Sequence, residues 1–558
     1  MNRPTAYKNA VFKTFVMIKL QQALIILAAA LVLLALPFCQ SIPDETDNNG
    51  NNDNNENNGG ILTKEEIEKI IAGGVVRYSD LGAVGDGKTD DLKAIVETHV
   101  FANLHNLNVR ADDKATYYLG GKNNTVNIRT NTHFGNATFI IDDTNVGSRS
   151  AHVFSVNSEY GPFSIQGIQS LVKGQDKIHA SPQRPCIVTV TNSHVKHYIR
   201  YGANQNDGSS QTDIFTVDKD GNVDKNTPIL WNFDQITNIT FQPIDETVLT
   251  ITGGKFITIA NQEESKYNYY NRGIQIKRSN VVVDGLEHVV TGEGASGAPY
   301  NGFLNINNCV DVTVRNTTLT GRKVYQTIGS AGSTVSMGSY DISVSQANNI
   351  RFENCKQTND INNAAFWGIM GSNYCKNLLF DNCTFSRFDA HKGVYNATIR
   401  NSTLGHQGIN SIGSGVFMLE NSTVNSATLI NLRSDYGSTW EGEFIIRNCV
   451  FVPRGTGAVN IIGGSNLGKH NFGYTCYMPE QITIENLHID DSNRPDSYNG
   501  AAIFANFNRD MTDESYVEDF PYIKTKEVIL ENVTTESGKP LRISDNEFIF
   551  RNVKVIYQ

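Results

Sequence analysis

Six side chains able to carry acid, base or anion-binding chemistry crowd into residues 387–406 of a chain that is otherwise rich in Asn, Ser and Thr. They are Arg387, Asp389, His391, Lys392, Arg400 and His406. A related group, Arg433, Asp435 and Tyr436, follows shortly after. Two reactions suit such sets. In β-elimination from a uronate, a base takes the proton α to a carboxylate, a cation or metal neutralises that carboxylate, and the glycosidic oxygen leaves. Arg, Lys, His and Tyr with an occasional Asp are the residues this needs. In glycoside hydrolysis two carboxylates flank the bond, and here Asp389 and Asp435 are the best pair, each with an arginine two residues away.

The elements around these residues decide which of them can meet. Side chains alternate across a strand, so Phe388 and Ala390 should point inward and leave Arg387, Asp389 and His391 on one outer face. In the later group Ile430 and Leu432 go inward, leaving Asn431, Arg433 and Asp435 outside. Lys392 precedes Gly393, and a bend there would bring it to the same side. The register comes from a repeat. Asn316, Asn354, Asn382, Asn401, Asn421, Asn448, Asn486, Asn532 and Asn552 each follow an alternating β-rich run, at spacings of 38, 28, 19, 20, 27, 38, 46 and 20. The shortest spacings fit one turn of a solenoid, and the longer ones a turn plus a loop or two turns. Such an asparagine sits in a turn and can bond its counterpart one coil away. Counted from the ladder, Arg387 aligns with His406 and His391 with Asn410, on strands roughly 4.8 Å apart. Most outward polar side chains of a solenoid are simply solvated; two histidines and two arginines in phase, each beside an aspartate, point to a site. Trp367, Tyr395, Tyr436 and Trp440 are the aromatic candidates for stacking on sugar rings.

Composition bounds the partners. The formal charge is −10, and phosphate binding needs a basic face, so nucleic acid is not an expected partner. An apolar run from Ala23 to Leu36 behind a basic leader has the length of a signal-peptide core and is short for a membrane span. It ends at Leu36, Pro37, Phe38 and Cys39, which resembles a bacterial lipoprotein signal, with Cys39 becoming the lipidated N-terminus. Residues 1–38 are accordingly read as a signal peptide. Their removal takes four basic residues and no acid, leaving the chain near −14. Residues 39–60, dominated by Asn, cannot build a core and read as a disordered tether. This implies the cell envelope, either lipid-anchored at the outer membrane or cell surface or periplasmic, with membrane contact through the anchor only and the protein acting as a monomer. Eight cysteines leave seven once Cys39 is lipidated, an odd number that excludes complete pairing. Cys355, Cys383 and Cys449 share one repeat position and read as small buried residues.

Residues 61–72 read as a short amphipathic helix with a Thr-x-x-Glu cap. Residues 78–95 follow, reading Tyr-Ser-Asp-Leu-Gly-Ala-Val-Gly-Asp-Gly-Lys-Thr-Asp-Asp-Leu-Lys-Ala-Ile. Gly85 and Gly87 give a tight turn, Thr89 or Asp90 caps a helix running towards Val100, and Asp86, Asp90 and Asp91 take turn and cap roles. β-rich runs follow from Tyr117, including 125–128, 137–141, 236–241, 248–251 and 281–284. Residues 181–231 read as an insertion, with a hairpin around the Asp-Gly of 220–221. The segment 78–95 resembles the opening motif of the pectate-lyase-like superfamily, and the resemblance runs to the C-terminus. It implies an all-β fold, a single-stranded right-handed parallel β-helix over residues 61–558 with an N-terminal capping helix. It also implies a polysaccharide lyase of the kind that acts on pectin-like polymers or on glycosaminoglycans such as chondroitin or dermatan sulfate. The superfamily's polygalacturonase pattern is not matched: residues 405–408 read Gly-His-Gln-Gly, one residue too long, and 275–277 read Gln-Ile-Lys.

The expectation is therefore a lyase of an acidic, uronate-containing polysaccharide. His391 or Lys392 is the base, His406 or Tyr436 the acid, and Arg387 and Arg433 bind the carboxylate or sulfate. Asn410 and Trp440 complete the substrate contacts, and a calcium ion is held by Asp389 or Asp435. A glycoside hydrolase or a non-catalytic glycan-binding solenoid is the alternative.

Overall fold

A computed structural model describes residues 62–558, apart from Lys122 and Ile369. The signal peptide, Cys39 and the Asn-rich tether expected from the sequence lie outside these residues. Among the described residues no helix is long and apolar enough to cross a membrane.

Thr63 opens the first helix, Lys64–Gly73, with its hydroxyl accepting from Glu66 N while the Glu66 carboxylate accepts from Thr63 N, and Gly74 in the left-handed region ends it. The second helix, Leu92–His105, buries Leu92, Ile95, Thr98, His99 and Ala102 against the first coils. The three aspartates before it hold the turn: Asp91 accepts from the amides of Val84 and Gly85, Asp86 from Lys88 and Thr89, and Asp90 from Leu92. The N-cap position itself is Asp91, where Thr89 or Asp90 was expected.

From there the chain winds as a right-handed parallel β-helix. Residue Val281 pairs with Val312, Val312 with Ile350, Ile350 with Leu378, Leu378 with Ala397, Ala397 with Phe417 and Phe417 with Phe444. These inward residues form one continuous apolar column, with Phe352 stacked on Phe380 at 5.0 Å. Cys355, Cys383 and Cys449 are buried and free, each thiol donating to a carbonyl of the preceding coil.

The asparagine ladder is present and its backbone explains the residue choice. Asn316, Asn354, Asn382, Asn401, Asn421, Asn448, Asn486 and Asn532 all have φ between 48° and 54°, a region that costs other L-residues about 1–2 kcal/mol. Asn354 donates to Asn316, Asn382 to Asn354, Asn421 to Asn401, and so on to Asn532. Two rungs differ from expectation. Asn401 donates to Asp381 instead of Asn382. Asn552 does not join, because residues 548–552 form a turn where a strand was expected. A second ladder at another corner, through Asn349, Asn377 and Asn396, was not seen in the sequence.

The insertion is larger than 181–231. Strands Cys186–His197, Ser209–Val217 and Asn238–Pro243 form a separate antiparallel sheet, with Cys186–His197 in the middle. This sheet has a core of its own around Phe215, Phe233 and Phe241. The run 236–241 had the strand pattern of the solenoid but belongs here, since a short alternating run carries no label for its sheet. The insertion lies back on later coils: Lys376 pairs with Asp213 at 2.9 Å and Lys173 with Glu441 at 2.7 Å.

A candidate polyanion-binding cleft

The long strand Thr384–Arg400 crosses the face on which the insertion turn 198–208 lies. Its pairing with the preceding strand slips once: Ser372 faces Ala390, but Asn373 faces Lys392. His391 is the extra residue of this β-bulge. A bulge re-aims the side chains beside it, so His391 and Lys392 both reach the cleft wall. Gly393 follows at φ +60°, and a Cβ there would lie 2.2 Å from the Tyr198 hydroxyl of the insertion.

The cleft has a volume of about 470 Å³. Arg387, His391, Lys392 and Arg433 line it together with Asn301 and Asn373 from neighbouring coils. Its walls come from elsewhere: Arg200 and Asn204 from the insertion, Tyr267 and Tyr269 from a loop, and Trp367. Trp367 fits because position 338 is glycine, whose Cβ would fall 1.7 Å from the indole.

Asp389 organises the floor. It is fully buried and accepts from Arg387 at 2.9 Å, Arg433 at 2.7 Å and the Tyr340 hydroxyl. Burial alone would raise its pKa, but Arg387 and Arg433 outweigh that and hold the carboxyl well below the usual carboxylate range. Arg433 also bonds both oxygens of Asp435, and Arg200 meets Asp435 at 2.8 Å. Arg387 is only 6% exposed, and its Nε and Nη1 are buried with no hydrogen-bond partner among the described residues. Its guanidinium stacks 4.6 Å from the Trp367 ring.

His391 Nδ1 lies 3.0 Å from Asn373 Oδ1. An amide oxygen only accepts, so Nδ1 carries the proton and Nε2 keeps its lone pair. Burial, then the positive charge of Arg433, brings the His391 pKa down to about 3, with Arg200 and Lys392 adding to the effect and Asp389 opposing it. Lys392 donates to Ser209 Oγ at 2.8 Å and forms no ion pair among the described residues; burial and then Arg200 lower its pKa.

Four of the residues expected at the site are therefore brought together: Arg387, His391, Lys392 and Arg433. Others are not. His406 does not align with Arg387, because the next strand carries two extra residues: Phe385 faces Leu404, but Arg387 faces Gly408. The His406 ring bonds the Ile361 carbonyl, away from the cleft. The same slip places Asn410 opposite Asp389 instead of His391, where it accepts from Asn431 and donates to Gln407 O. Tyr436 is 1% exposed, edge-on to His391, and Trp440 is wholly buried with its indole N–H donating to Gly415 O. Neither can touch a ligand. Asp389 and Asp435 are held by guanidinium groups and do not converge as a cation site, and no cluster of three or more His, Cys, Asp or Glu suited to a metal occurs among the described residues. Arg400 is a surface residue paired with Asp381 at 2.7 Å. Sequence reasoning missed Arg200, Asn204, Tyr267 and Tyr269. The only signal was the Tyr-Ile-Arg-Tyr-Gly turn at 198–202, whose place over this face nothing in the sequence encodes.

No protein-family model matches the chain, and no curated protein matches its sequence. Solved structures do match it. The Gp54 tailspike of Acinetobacter baumannii bacteriophage AP22, solved with A. baumannii capsular saccharide, shares the fold at a TM-score of 0.50 and 10% identity, over 90% of this chain and 82% of that one. The Pseudomonas phage phi297 tailspike gp61 aligns at a TM-score of 0.45 and 13% identity, over 82% and 80%. An exopolygalacturonase from Thermotoga maritima aligns at 0.33 and 10%, over 88% and 96%.

Proposed function

We propose that this protein is a polysaccharide lyase that cleaves an acidic, uronate-containing polymer by β-elimination in the Arg387–Arg433 cleft. The observation that carries this reading is the lining: Arg200, Arg387, Lys392 and Arg433 surround a neutral imidazole, and only two carboxylates, Asp389 and Asp435, pair with them, so positive charge is in excess. The tailspike with the same fold was solved with a capsular saccharide, which agrees with a glycan ligand. Arg387 and Arg433 supply the positive charge that neutralises the substrate carboxylate, and neutralising it acidifies the α proton. His391 Nε2 takes this proton. The bond from the ring to the glycosidic oxygen breaks as the ring double bond forms, and the Lys392 ammonium supplies the proton that the departing oxygen needs. An imidazole with a pKa near 3 is a weak base in the empty cleft. A bound carboxylate offsets part of the charge of the arginines around it, so His391 becomes more basic as substrate arrives.

Hydrolysis fits less well, because its two flanking carboxylates would have to be Asp389 and Asp435, which the arginines already hold. We place the activity at the cell envelope, on the strength of the leader and Cys39. The test is incubation with chondroitin, dermatan and pectic polymers while following ultraviolet absorbance of the unsaturated product. Absorbance that appears with the native chain and vanishes with His391→Ala supports elimination. Reducing sugar without absorbance means a hydrolase, and binding without cleavage a glycan-binding solenoid.

A further inference from the structure

A second cavity of about 450 Å³ adjoins the cleft and shares Arg200 and Asn204 with it. It lies further along the solenoid, between the insertion turn, Ser434 and Asp435, and the loop 465–472 that follows the next coil. Its chemistry differs from that of the cleft. Tyr201, 55% exposed, lies 5.2 Å from His470 and tilted 50° to it, and His470 rests edge-on against the buried Phe472, so the exposed aromatic face of the cavity is that of Tyr201. His470 Nε2 donates to Ile199 O. The cations are already matched: Arg200 by Asp435 at 2.8 Å, Lys469 by Asp519 at 3.5 Å. Ser434, Ser465 and Asn466 supply polar edges. Here Asp435 lines the cavity beside Arg200, so an anionic ring gains less than in the main cleft, whereas an uncharged ring can stack on Tyr201.

We propose that this cavity seats an uncharged sugar beside the acidic residue held in the main cleft, so that the ligand is a heteropolymer of acidic and uncharged sugars and not a run of uronates. This rests on the main cleft being the anion site. The ridge of Arg200 and Asn204 between the cavities, supplied by the insertion, then marks the linkage between the two rings.

The experiment is calorimetric binding to the full chain carrying His391→Ala, so that ligand is not consumed. The probes are a chondroitin tetrasaccharide, in which uronate alternates with uncharged N-acetylhexosamine, and tetragalacturonate. The chondroitin tetrasaccharide should bind more tightly. Adding Tyr201→Ala should weaken it roughly fivefold to tenfold, the value of one aromatic face, Tyr201→Phe should restore it, and tetragalacturonate should be insensitive to both. Equal or tighter binding of tetragalacturonate, or a Tyr201→Ala effect that is absent or the same for both ligands, overturns the proposal. Arg387→Ala separates the two readings. If it abolishes binding while Tyr201→Ala changes nothing, only the second cavity has failed. If it changes nothing, the main cleft has failed as the anion site.

Discussion

Asp389 sets the chemistry of the cleft without touching its contents. One buried carboxylate orders Arg387, Arg433 and the Tyr340 hydroxyl along the cleft. Removing one partner of a buried ion pair leaves uncompensated charge. Asp389→Ala should therefore lower stability by about 3–5 kcal/mol, read as a lower urea midpoint, whereas Arg400→Ala at the exposed pair with Asp381 should cost well under about 1 kcal/mol. The pH dependence has a definite sign. Asp389 is depressed in the folded state, so its contribution is complete above the unfolded pKa of about 4 and fades as pH falls below it. His391 acts in the same direction from a higher pH. Its pKa is about 6.5 unfolded and about 3 folded, so the unfolded chain binds the extra proton, and stability falls as pH drops from 6.5 towards 3. Activity should follow a different course. The kcat/KM of the free protein should stay level from pH 7 to about 5, because His391 is already neutral there; an unperturbed imidazole would lose roughly tenfold by pH 5.5. A fall of that size would mean that the His391 imidazole titrates normally in the free protein.

At the scale of elements, two devices hold the site: the corner ladder and the insertion. Ladder asparagines combine a left-handed backbone with a side-chain bond to the next coil. Asn382→Gly keeps the first and loses the second, and Asn382→Ala loses both. The alanine variant should be the less stable by about 1 kcal/mol, measured by chemical denaturation. The insertion supplies Arg200 and Asn204 to the cleft. Strands Cys186–His197 and Ser209–Val217 are antiparallel neighbours, so the turn between them can be shortened to a tight hairpin. Replacing residues 199–207 by a two-residue Asn-Gly turn should leave the circular dichroism of the solenoid unchanged while removing Arg200 and Asn204 from the cleft. The expected outcome is a loss of substrate binding of tenfold or more; unchanged binding would show that the insertion does not belong to the site.

Over the whole molecule, a cationic cleft sits on a body of formal charge −10, and the two act over different distances. At low ionic strength the Debye length is about 30 Å at 0.01 M salt, so an approaching polyanion meets the repulsion of the body before the attraction of the cleft. Association should quicken from about 0.01 to 0.1 M salt as that repulsion is screened, while dissociation also quickens because the ion pairs in the cleft weaken. Stopped-flow binding checks both rates; an association rate that falls steadily with salt would mean that the cleft dominates at all distances. The same separation of local from distant governs what could be read from the chain itself. Alternation, β-rich runs and recurring asparagines are periodic, local signals, and they specified the solenoid, its inward column, the buried cysteines and the turn roles of Asp86, Asp90 and Asp91. The same phase placed Arg387, His391 and Arg433 on one outer face, because alternation is a property of each strand. It failed wherever residues per coil changed: the two extra residues at 405–407 carried His406 and Asn410 out of line, and counting from the ladder assumes equal coils. Burial of Tyr436 and Trp440 was equally hidden, since an aromatic fits core and surface patterns alike. The tertiary structure alone decided that Asp389 and Asp435 hold arginines, and that a turn nearly two hundred residues upstream of His391 closes the cleft. Contacts across such separations depend on how whole elements pack, and no local run of residues carries that information.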